Sequence, residues 1–217
     1  ETIQAIHSQL PPQTRLVAVS KYHPAEAIME AYEAGQRIFG ESHVQELQRK
    51  AALLPQDIEW HFIGHLQTNK VKYIAPYVSL IHAVDSERLL AEIDKQGSRI
   101  GRKIPCLLQL HIAREETKFG FSIEELLNLL DSGAHLAYNS VTISGLMCMA
   151  SNVDDDEQIA EEFVRAHALF LTLKDRYFKH NTEFAECSWG MSDDYPLAIA
   201  HGSTLVRIGS KIFGSRQ

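Results

Sequence analysis

The sequence has no apolar run long enough to cross a membrane, and it has fewer basic than acidic residues. Every apolar stretch is well short of the roughly 20 residues that span a bilayer. No signal peptide is recognisable, although Glu1 indicates that the initiating methionine is missing. The 217 residues include 28 acidic and 21 basic ones, which give a net charge of −7. A general affinity for nucleic acid or for an anionic membrane is therefore not expected.

Cysteine is scarce as well. The chain has three cysteines, Cys106, Cys148 and Cys187, which lie far apart, each inside an apolar run of strand-like composition. An odd number of thiols that look buried, without CxxC spacing, fits a reducing compartment better than a disulfide framework. We therefore expect a cytoplasmic protein.

The 11 histidines do not form a metal-binding pattern. His61 and His65 are four residues apart, a spacing that brings two side chains together on a helix but not across the end of a strand. No cysteine or carboxylate spacing completes a ligand set, so no metal site is predicted. Isolated histidines within strands, such as His82 and His111, are expected to be hydrogen-bonded residues of the core or rim.

Short β-rich runs alternate with longer helical patterns along the whole chain. Strict alternation predicts a parallel sheet, because a parallel neighbour is reached through a crossover helix. Eight such units predict a single-domain (β/α)8 TIM barrel of the α/β class over residues 1–217. The alternative is an open doubly wound sheet, although no GxGxxG follows the first strand. The predicted strands are residues 15–21, 37–41, 59–64, 80–86, 105–113, 142–150, 183–190 and 205–213.

Boundary signals mark the helices between these strands. One helix is predicted to begin at Asp85 or Ser86, which are good N-cap residues, and to end at Gly97. Another begins at Ser122, which lies three residues before Glu125, the spacing of a capping box.

Lys21 ends the first predicted strand, in the segment RLVAVSK. Functional residues of such barrels lie at the carboxyl ends of the strands. Side-chain alternation places Lys21 on the face of Val17 and Val19, so it points into the barrel mouth if they point inward. A partly desolvated lysine becomes available as an amine nucleophile toward carbonyls. The alternative is a solvated lysine that only ends the strand.

The last two βα connections are rich in small and hydroxyl residues, at the place where these barrels frequently bind phosphate. Without bulky side chains, backbone N–H groups can approach an anion closely, and a nearby helix N-terminus adds positive charge. The alternative is that these are only tight turns, with Ser192 as a helix cap. Asp193 and Asp194 are expected to face a helix or solvent. The small and hydroxyl residues are Ser188, Gly190, Ser192, Gly209 and Ser210.

Arg207 lies on the eighth predicted strand with the parity of Leu205 and Gly209, and so it is predicted to point inward. A buried guanidinium cannot lose its proton and needs a partner, either a carboxylate such as Glu41 or a ring nitrogen of a ligand. The lysine, the predicted phosphate site and the arginine together describe a binding site for pyridoxal 5′-phosphate (PLP). The aldehyde would form a Schiff base with Lys21, and the pyridine nitrogen would face Arg207. Arginine has no acceptor for a proton on that nitrogen, which limits the chemistry to racemisation or to no turnover.

Six sequence blocks, in register over about residues 15–214, resemble those of a known family. They are AVSKYHPAEAI, GQRIFGESHVQE, EWHFIGHLQTNK, EETKFGF, GLMCMA and SWGMSDDYPLAIAHGSTLVRIGSKIFG. On these blocks the chain resembles the pyridoxal phosphate homeostasis proteins, which are related to the barrel domain of bacterial alanine racemase.

The resemblance implies that Lys21 carries PLP as an internal aldimine and that Arg207 meets the pyridine nitrogen. It also implies a cytosolic, monomeric, single-domain barrel that binds PLP and passes it on, transiently contacting apo PLP-dependent enzymes, without an established turnover. The phosphate would be held by Ser188 and the backbone of Gly209 and Ser210, with Ser192 close by.

Two departures from the family pattern bear on the site, and one further lysine matches it. The family usually reads FGENYVQE, whereas Ser42 and His43 replace the Asn-Tyr pair here, so no contact of that pair is carried over to this chain. Trp189 replaces a smaller apolar residue of an SMGMS pattern and would reshape the wall beside the phosphate. Lys118 matches a family lysine near the site, with a solvated loop lysine as the alternative.

Two functions remain open at this point. A racemase needs a proton acceptor on each face of the bound substrate, and related racemases bring a tyrosine from a second β domain and a partner subunit. The chain ends at Gln217, so we expect that domain to be absent, with His43, His65 and Lys118 as conceivable replacements. A PLP carrier or buffer needs only reversible imine chemistry and a phosphate cup. The carrier is the favoured hypothesis and the racemase is the alternative.

Overall fold

Eight parallel strands close into a barrel in the computed structural model, which describes residues 2–115 and 119–215. The strands follow chain order around the barrel, and the eighth pairs with the first to close it. The predicted α/β class and (β/α)8 architecture are confirmed. The strands are β1 (Arg15–Val19), β2 (Ile38–Glu41), β3 (Glu59–Phe62), β4 (Leu80–Val84), β5 (Ile104–Gln109), β6 (Val141–Met147), β7 (Glu186–Met191) and β8 (Leu205–Ile208).

Helices precede β1, connect the strands and follow β8. Among the described residues, none of these helices has the length and apolar character that crossing a membrane requires. The helices are α1 (Thr2–Gln9), α2 (Ala25–Glu33), α3 (Val44–Leu53), α4 (Val71–Ile74), α5 (Glu87–Ile100), α6 (Ile123–Ser132), α7 (Asp156–Tyr177), α8 (Tyr195–Ala200) and α9 (Ser210–Phe213).

The helix boundary signals are confirmed in two places and wrong in one. Ser86 is the N-cap of α5, and the capping box of Ser122 and Glu125 opens α6. Gly97 does not end α5, which continues for three more residues until Gly101 adopts the left-handed conformation at φ +66°. Gly97 instead permits close packing, because a Cβ there would come within 2.6 Å of a backbone carbonyl oxygen.

Most strands end earlier at the barrel mouth than predicted, although β2 ends at Glu41 as predicted and β7 ends one residue later, at Met191. β1 ends two residues before Lys21, because the chain turns away from the sheet at Lys21 and Tyr22, the latter with φ +69°. The segment Ser210–Phe213 forms α9 and does not continue β8. Strand alternation therefore does not determine where Lys21 points.

The barrel interior combines an apolar layer with a set of buried polar side chains. Because a buried polar group needs a hydrogen-bond partner, the polar set must be internally connected. The apolar layer consists of Val17, Ile38, Leu80, Ala83, Leu107, Met147 and Leu205. The polar set consists of His61, His82, Ser188 and Arg207.

The close approach of β6 to β7 requires glycine at position 145. Gly145 has φ +148°, and a Cβ there would lie 1.8 Å from the carbonyl oxygen of Glu186. Gly35 provides a matched control, because it has φ +106° with no atom within 4 Å of the same Cβ position. We predict that Gly35→Ala lowers the free energy of unfolding by about 1–2 kcal/mol through backbone strain alone. Gly145→Ala should lower the free energy of unfolding by about 3 kcal/mol or more, because a clash with the neighbouring backbone adds to the backbone strain. Urea unfolding measures both, and equal losses would contradict the packing argument.

Candidate binding site at the mouth of the barrel

A cavity of about 270 Å³ lies at the barrel mouth, where the carboxyl ends of β1 and β8 meet α9. Five of the six predicted site residues line it: Lys21, Ser192, Arg207, Gly209 and Ser210. The sixth, Ser188, is fully buried inside the barrel and is not among the described residues that line the cavity. The fold therefore brings together residues that are up to 189 positions apart in the sequence.

Lys21 lies in a turn whose two flanking residues are tied to α3. The ammonium of Lys50 donates to the carbonyl oxygen of Ser20 at 2.9 Å. The backbone N–H of Tyr22 donates to Glu46 Oε2 at 2.7 Å. Lys50 Nζ also contacts Glu46 Oε2, at 2.8 Å. The same ion pair thus holds the chain on both sides of Lys21.

A second carboxylate, that of Glu41 at the end of β2, shares the Lys50 ammonium. Glu41 Oε2 lies 2.9 Å from Lys50 Nζ and accepts a hydrogen bond from Ser20 Oγ, while Glu41 Oε1 is buried with no partner among the described residues. Burial raises the pKa of Glu41 to about 7, against the opposing effects of Ser20 and Lys50. Although burial acts in the opposite direction, hydrogen bonds from Lys50 and from the Tyr22 N–H keep the pKa of Glu46 below its ordinary value.

Arg207 points into the barrel, as predicted, and its guanidinium is held by Ser188 of β7 and by Cys148, the residue that follows β6. Nη1 donates to the carbonyl oxygen of Ser188 at 2.9 Å and also to Ser188 Oγ, and Nη2 donates to the carbonyl oxygen of Cys148 at 3.0 Å. In the part of the chain that the structure describes, no carboxylate forms an ion pair with Arg207, and the alternative partner, Glu41, pairs with Lys50 instead. Burial lowers the pKa of Arg207 from its usual value.

Ser188 is the first member of a hydrogen-bonded chain that continues through two histidines. His82 Nδ1 lies 2.8 Å from Ser188 Oγ, and His82 Nε2 lies 2.8 Å from His61 Nδ1. Arg207 can only donate, so the Ser188 hydroxyl accepts from it. We assign the remaining directions from the rule that buried donors are satisfied: the Ser188 hydroxyl donates to His82, the tautomer choice that gives its proton an acceptor, and His82 donates to His61. Burial lowers the pKa of His61 to about 3 and that of His82 well below its ordinary value, so both rings are neutral.

The two predictions for isolated histidines have different outcomes. His82 is confirmed as a hydrogen-bonded core residue. His111 follows β5, and its buried Nδ1 has no hydrogen-bond partner in the described residues. Within residues 2–115 and 119–215, no group of three His, Cys, Asp or Glu side chains could hold a metal ion.

Ser188 is therefore not placed to contact a phosphate in the cavity. It is buried, and its hydroxyl both accepts from Arg207 and donates to His82. The residues that do border the cavity on this side are Ser192 and Gly209, which contact each other through Ser192 Oγ and the Gly209 N–H at 3.4 Å. A Cβ on Gly209 would lie 3.1 Å from the carbonyl oxygen of Val19, so glycine suits the close approach of this loop to β1.

The two aspartates that follow Ser192 lie in different surroundings. Asp193 is exposed, as expected, but it also borders the cavity. Asp194 turns toward the backbone, where its Oδ1 accepts from the Met191 N–H at 2.7 Å, and burial raises its pKa. His23 borders the cavity as well, stacked on Phe213 with ring centroids 4.9 Å apart. Only its position two residues after Lys21 could have indicated this from the sequence.

The departures from the family pattern also have defined positions. Trp189 is fully buried in the core between sheet and helices, and its Nε1 donates to the carbonyl oxygen of His201, so the prediction that it reshapes the phosphate wall is wrong. Ser42 lines the cavity, whereas His43 lies in a neighbouring one, 3.3 Å from the hydroxyl of Tyr22. His65 borders the same neighbouring cavity. Lys118 lies outside the described residues.

Comparisons with known proteins agree with this geometry. The family model described as alanine racemase, N-terminal domain, matches residues 1–217. A pyridoxal phosphate homeostasis protein from Vibrio alginolyticus is 37% identical over 211 residues, which cover 95% of this chain and 88% of the relative.

Two solved structures with bound PLP have folds similar to that of this chain. PipY from Synechococcus elongatus, in a structure with PLP bound, matches with a TM-score of 0.89 and 36% identity, over 98% of each chain. An alanine racemase from Bartonella henselae with covalently bound pyridoxal phosphate matches with a TM-score of 0.75 over 99% of this chain and 58% of its own. At 16% identity, the latter likeness shows the fold alone.

The raised pKa of Glu41 predicts a pH-dependent stability. Because the folded state favours protonated Glu41, its contribution to stability is complete below the ordinary pKa of 4.5 and is lost as the pH rises through about 7. The free energy of unfolding of the wild type should therefore fall by up to about 3 kcal/mol relative to that of Glu41→Gln between these two pH values. Urea unfolding of both proteins from pH 4.5 to 8 measures the difference. A wild type that instead gained stability over the variant would show that Lys50 stabilises Glu41 as a carboxylate.

Proposed function

Because the chain belongs to the alanine racemase N-terminal domain family and, within it, to the pyridoxal phosphate homeostasis proteins, we propose that it binds PLP and acts in the intracellular homeostasis of that cofactor, as a carrier or buffer. One observation carries the proposal: a single cavity is lined by Lys21, Arg207 and three small residues of the last two βα connections, Ser192, Gly209 and Ser210. The chain acts as one PLP-binding barrel domain over residues 1–217.

Arg207 provides the test of whether these residues fit the cofactor. A buried cation that borders a cavity and has no carboxylate partner in the described residues suits a neutral acceptor such as a pyridine nitrogen. Ser192, Gly209 and Ser210 border the same cavity and would hold the phosphate through hydroxyl and backbone N–H groups. Ser188 takes a different role from the one first predicted, since it orients Arg207.

Lys21 would hold PLP as a Schiff base. Its amine would supply the nitrogen for an imine with the cofactor's aldehyde, with loss of one water. This bond is reversible, which suits a protein that stores and releases the cofactor. Bound PLP supplies an electron sink, and Arg207 keeps that sink weak because it cannot accept a proton from the ring nitrogen. The arrangement thus narrows the possible turnover to racemisation and is compatible with a protein that only stores and releases the cofactor.

An amino-acid racemase is the second candidate, and the lining of the cavity favours it in one respect. His23 and Asp193 border the cavity together with Lys21, so groups able to transfer a proton are present. His43 and His65, the replacements first considered, border the neighbouring cavity instead. Within the described residues, His23 and Asp193 are therefore the candidates for a second base.

The remaining parts of the proposal concern the compartment, the oligomeric state and the partners of the protein. We expect a cytoplasmic monomer that contacts apo PLP-dependent enzymes transiently while it transfers the cofactor. The three cysteines are buried free thiols, and burial raises the pKa of each, which agrees with a chain that needs no disulfide.

Replacement of Lys21 tests the binding mode. Wild-type protein incubated with PLP should show a visible absorption band, and borohydride should then fix one cofactor covalently, as measured by intact mass. Lys21→Ala should lose both signals because, in the part of the chain that the structure describes, Lys21 is the one lysine that lines the cavity. Lys72→Ala, at a lysine on α4, is the matched control and should behave as the wild type. A Lys21→Ala protein that keeps the covalent adduct would refute the assignment.

Turnover distinguishes the carrier from the racemase. Protein loaded with PLP is incubated with L-alanine in deuterium oxide, and exchange at Cα is followed by NMR. In parallel it is incubated with an apo-aminotransferase, whose recovered activity reports transfer. We predict transfer, with exchange no faster than in the Lys21→Ala protein. Cα exchange that is lost in both Lys21→Ala and His23→Ala would establish the racemase instead.

A further inference from the structure

Lys50 of α3 is a buried cation that the proposed function does not use. Only 1% of the residue is exposed, and its ammonium donates to three oxygens at 2.8–2.9 Å. Three acceptors satisfy all three N–H groups, so Lys50 is charged in the barrel. Removing an ammonium from water is unfavourable, and a fold that needed only packing at this position would have an apolar side chain. The oxygens are those of Ser20, Glu41 and Glu46.

These contacts converge on the turn that carries Lys21. We refer to Ser20, Tyr22, Glu41, Glu46 and Lys50 as the Lys50 network. The residue before Lys21 is held through its carbonyl oxygen by Lys50 and through its hydroxyl by Glu41. The residue after Lys21 is held through its N–H by Glu46.

The turn needs this support because its backbone is strained. Tyr22 has φ +69°, and no other described non-glycine residue has a positive φ. A residue in the left-handed conformation persists when its surroundings impose it, and such residues concentrate at functional sites. Here Glu46 Oε2 accepts from the strained residue at 2.7 Å and from Lys50 at 2.8 Å, so a single oxygen joins the turn to the buried cation.

We infer that Glu46 and Lys50 are positioning residues for Lys21, which fix the point from which its side chain enters the cavity. The inference rests on the proposed function, since it concerns the lysine that would carry PLP. Lys21 has a long side chain with many rotamers, and a fixed backbone lowers the entropy lost when its amine is held at the aldehyde. The Lys50 network thus favours bond formation at Lys21 without touching the cofactor.

Variants of Glu46 separate positioning from general stability. Glu46→Ala removes the acceptor of the Tyr22 N–H, and Glu46→Gln keeps an oxygen at the same reach. Arg102→Met is the matched control: Arg102 is a partly buried cation that donates to the carbonyl oxygens of Ala75 and Val78, just before the amino end of β5. Half-saturating PLP is measured by absorption titration at a temperature where circular dichroism shows every protein to be folded.

We predict that Glu46→Ala raises the half-saturating PLP concentration about tenfold or more, that Glu46→Gln restores most of the affinity, and that Arg102→Met binds as the wild type despite a lower melting temperature. Lys50→Met should weaken binding at least as much as Glu46→Ala. The Lys50→Met substitution leaves Glu41 buried without its cation, and the variant is therefore at risk of not folding. The Glu46 variants change a partly exposed side chain, so they provide the test in that case. Equal affinities of Glu46→Ala, Arg102→Met and wild type would overturn the inference. A wild type without an absorption band would overturn the proposed function itself.

Discussion

A guanidinium that cannot lose its proton lies inside the barrel, and the polar groups around it are arranged to accept its hydrogen bonds. Arg207 is paired in register with Val17 on the neighbouring strand, so it occupies the innermost part of the mouth. Two carbonyl oxygens and one hydroxyl receive its Nη protons. This requirement explains why β7 carries a serine at an inward position that an apolar residue would otherwise fill, and why a neutral histidine lies behind that serine.

The barrel contains a second buried cation, Lys50, and the fold accommodates it in a different way. Arg207 interacts with neutral acceptors, whereas Lys50 interacts with two carboxylates that share it. This difference in partners fits the different positions of the two cations. Lys50 lies behind the Lys21 turn, where its charge is balanced locally and acts on backbone geometry. Arg207 borders the cavity, where its charge is available to a ligand.

Much of this could be predicted from the sequence, and the parts that could not have a common physical reason. The alternation of strands and helices gave the barrel, and the position of Arg207 followed from parity within β8. Several strands end earlier at the mouth than their sequence predicts, because residues such as Lys21 and Ser210 are compatible with a strand, a turn or a helix. Their conformation depends on tertiary contacts: the tie of Tyr22 to Glu46 turns the chain after β1.

The same limit applies to Ser188 and Ser192. Both serines lie in one short segment rich in small residues. Its composition does not distinguish a hydroxyl that faces the cavity from one that hydrogen-bonds to Arg207. The four-residue separation spans the end of β7, so one lies within the strand and the other beyond it. Trp189 was misplaced for a related reason, since alternation within β7 directs it toward the helices. His82 was predicted to be hydrogen-bonded, but its partners come from β3 and β7 and have no local signal.

The direction of the hydrogen bonds behind Arg207 has an electrostatic consequence. Each donor in the chain from Ser188 to His61 points its proton away from the guanidinium, so each dipole turns its negative end toward the cation. The buried charge is thereby stabilised by oriented neutral groups and is not cancelled by an opposite charge. Because no carboxylate in the described residues forms a direct ion pair with it, Arg207 contributes positive potential at the cavity, which favours an anionic ligand beside the carboxylates of Asp193 and Asp194. Because burial lowers the pKa of both histidines, the two rings stay neutral at physiological pH and add no pH dependence of their own to this potential.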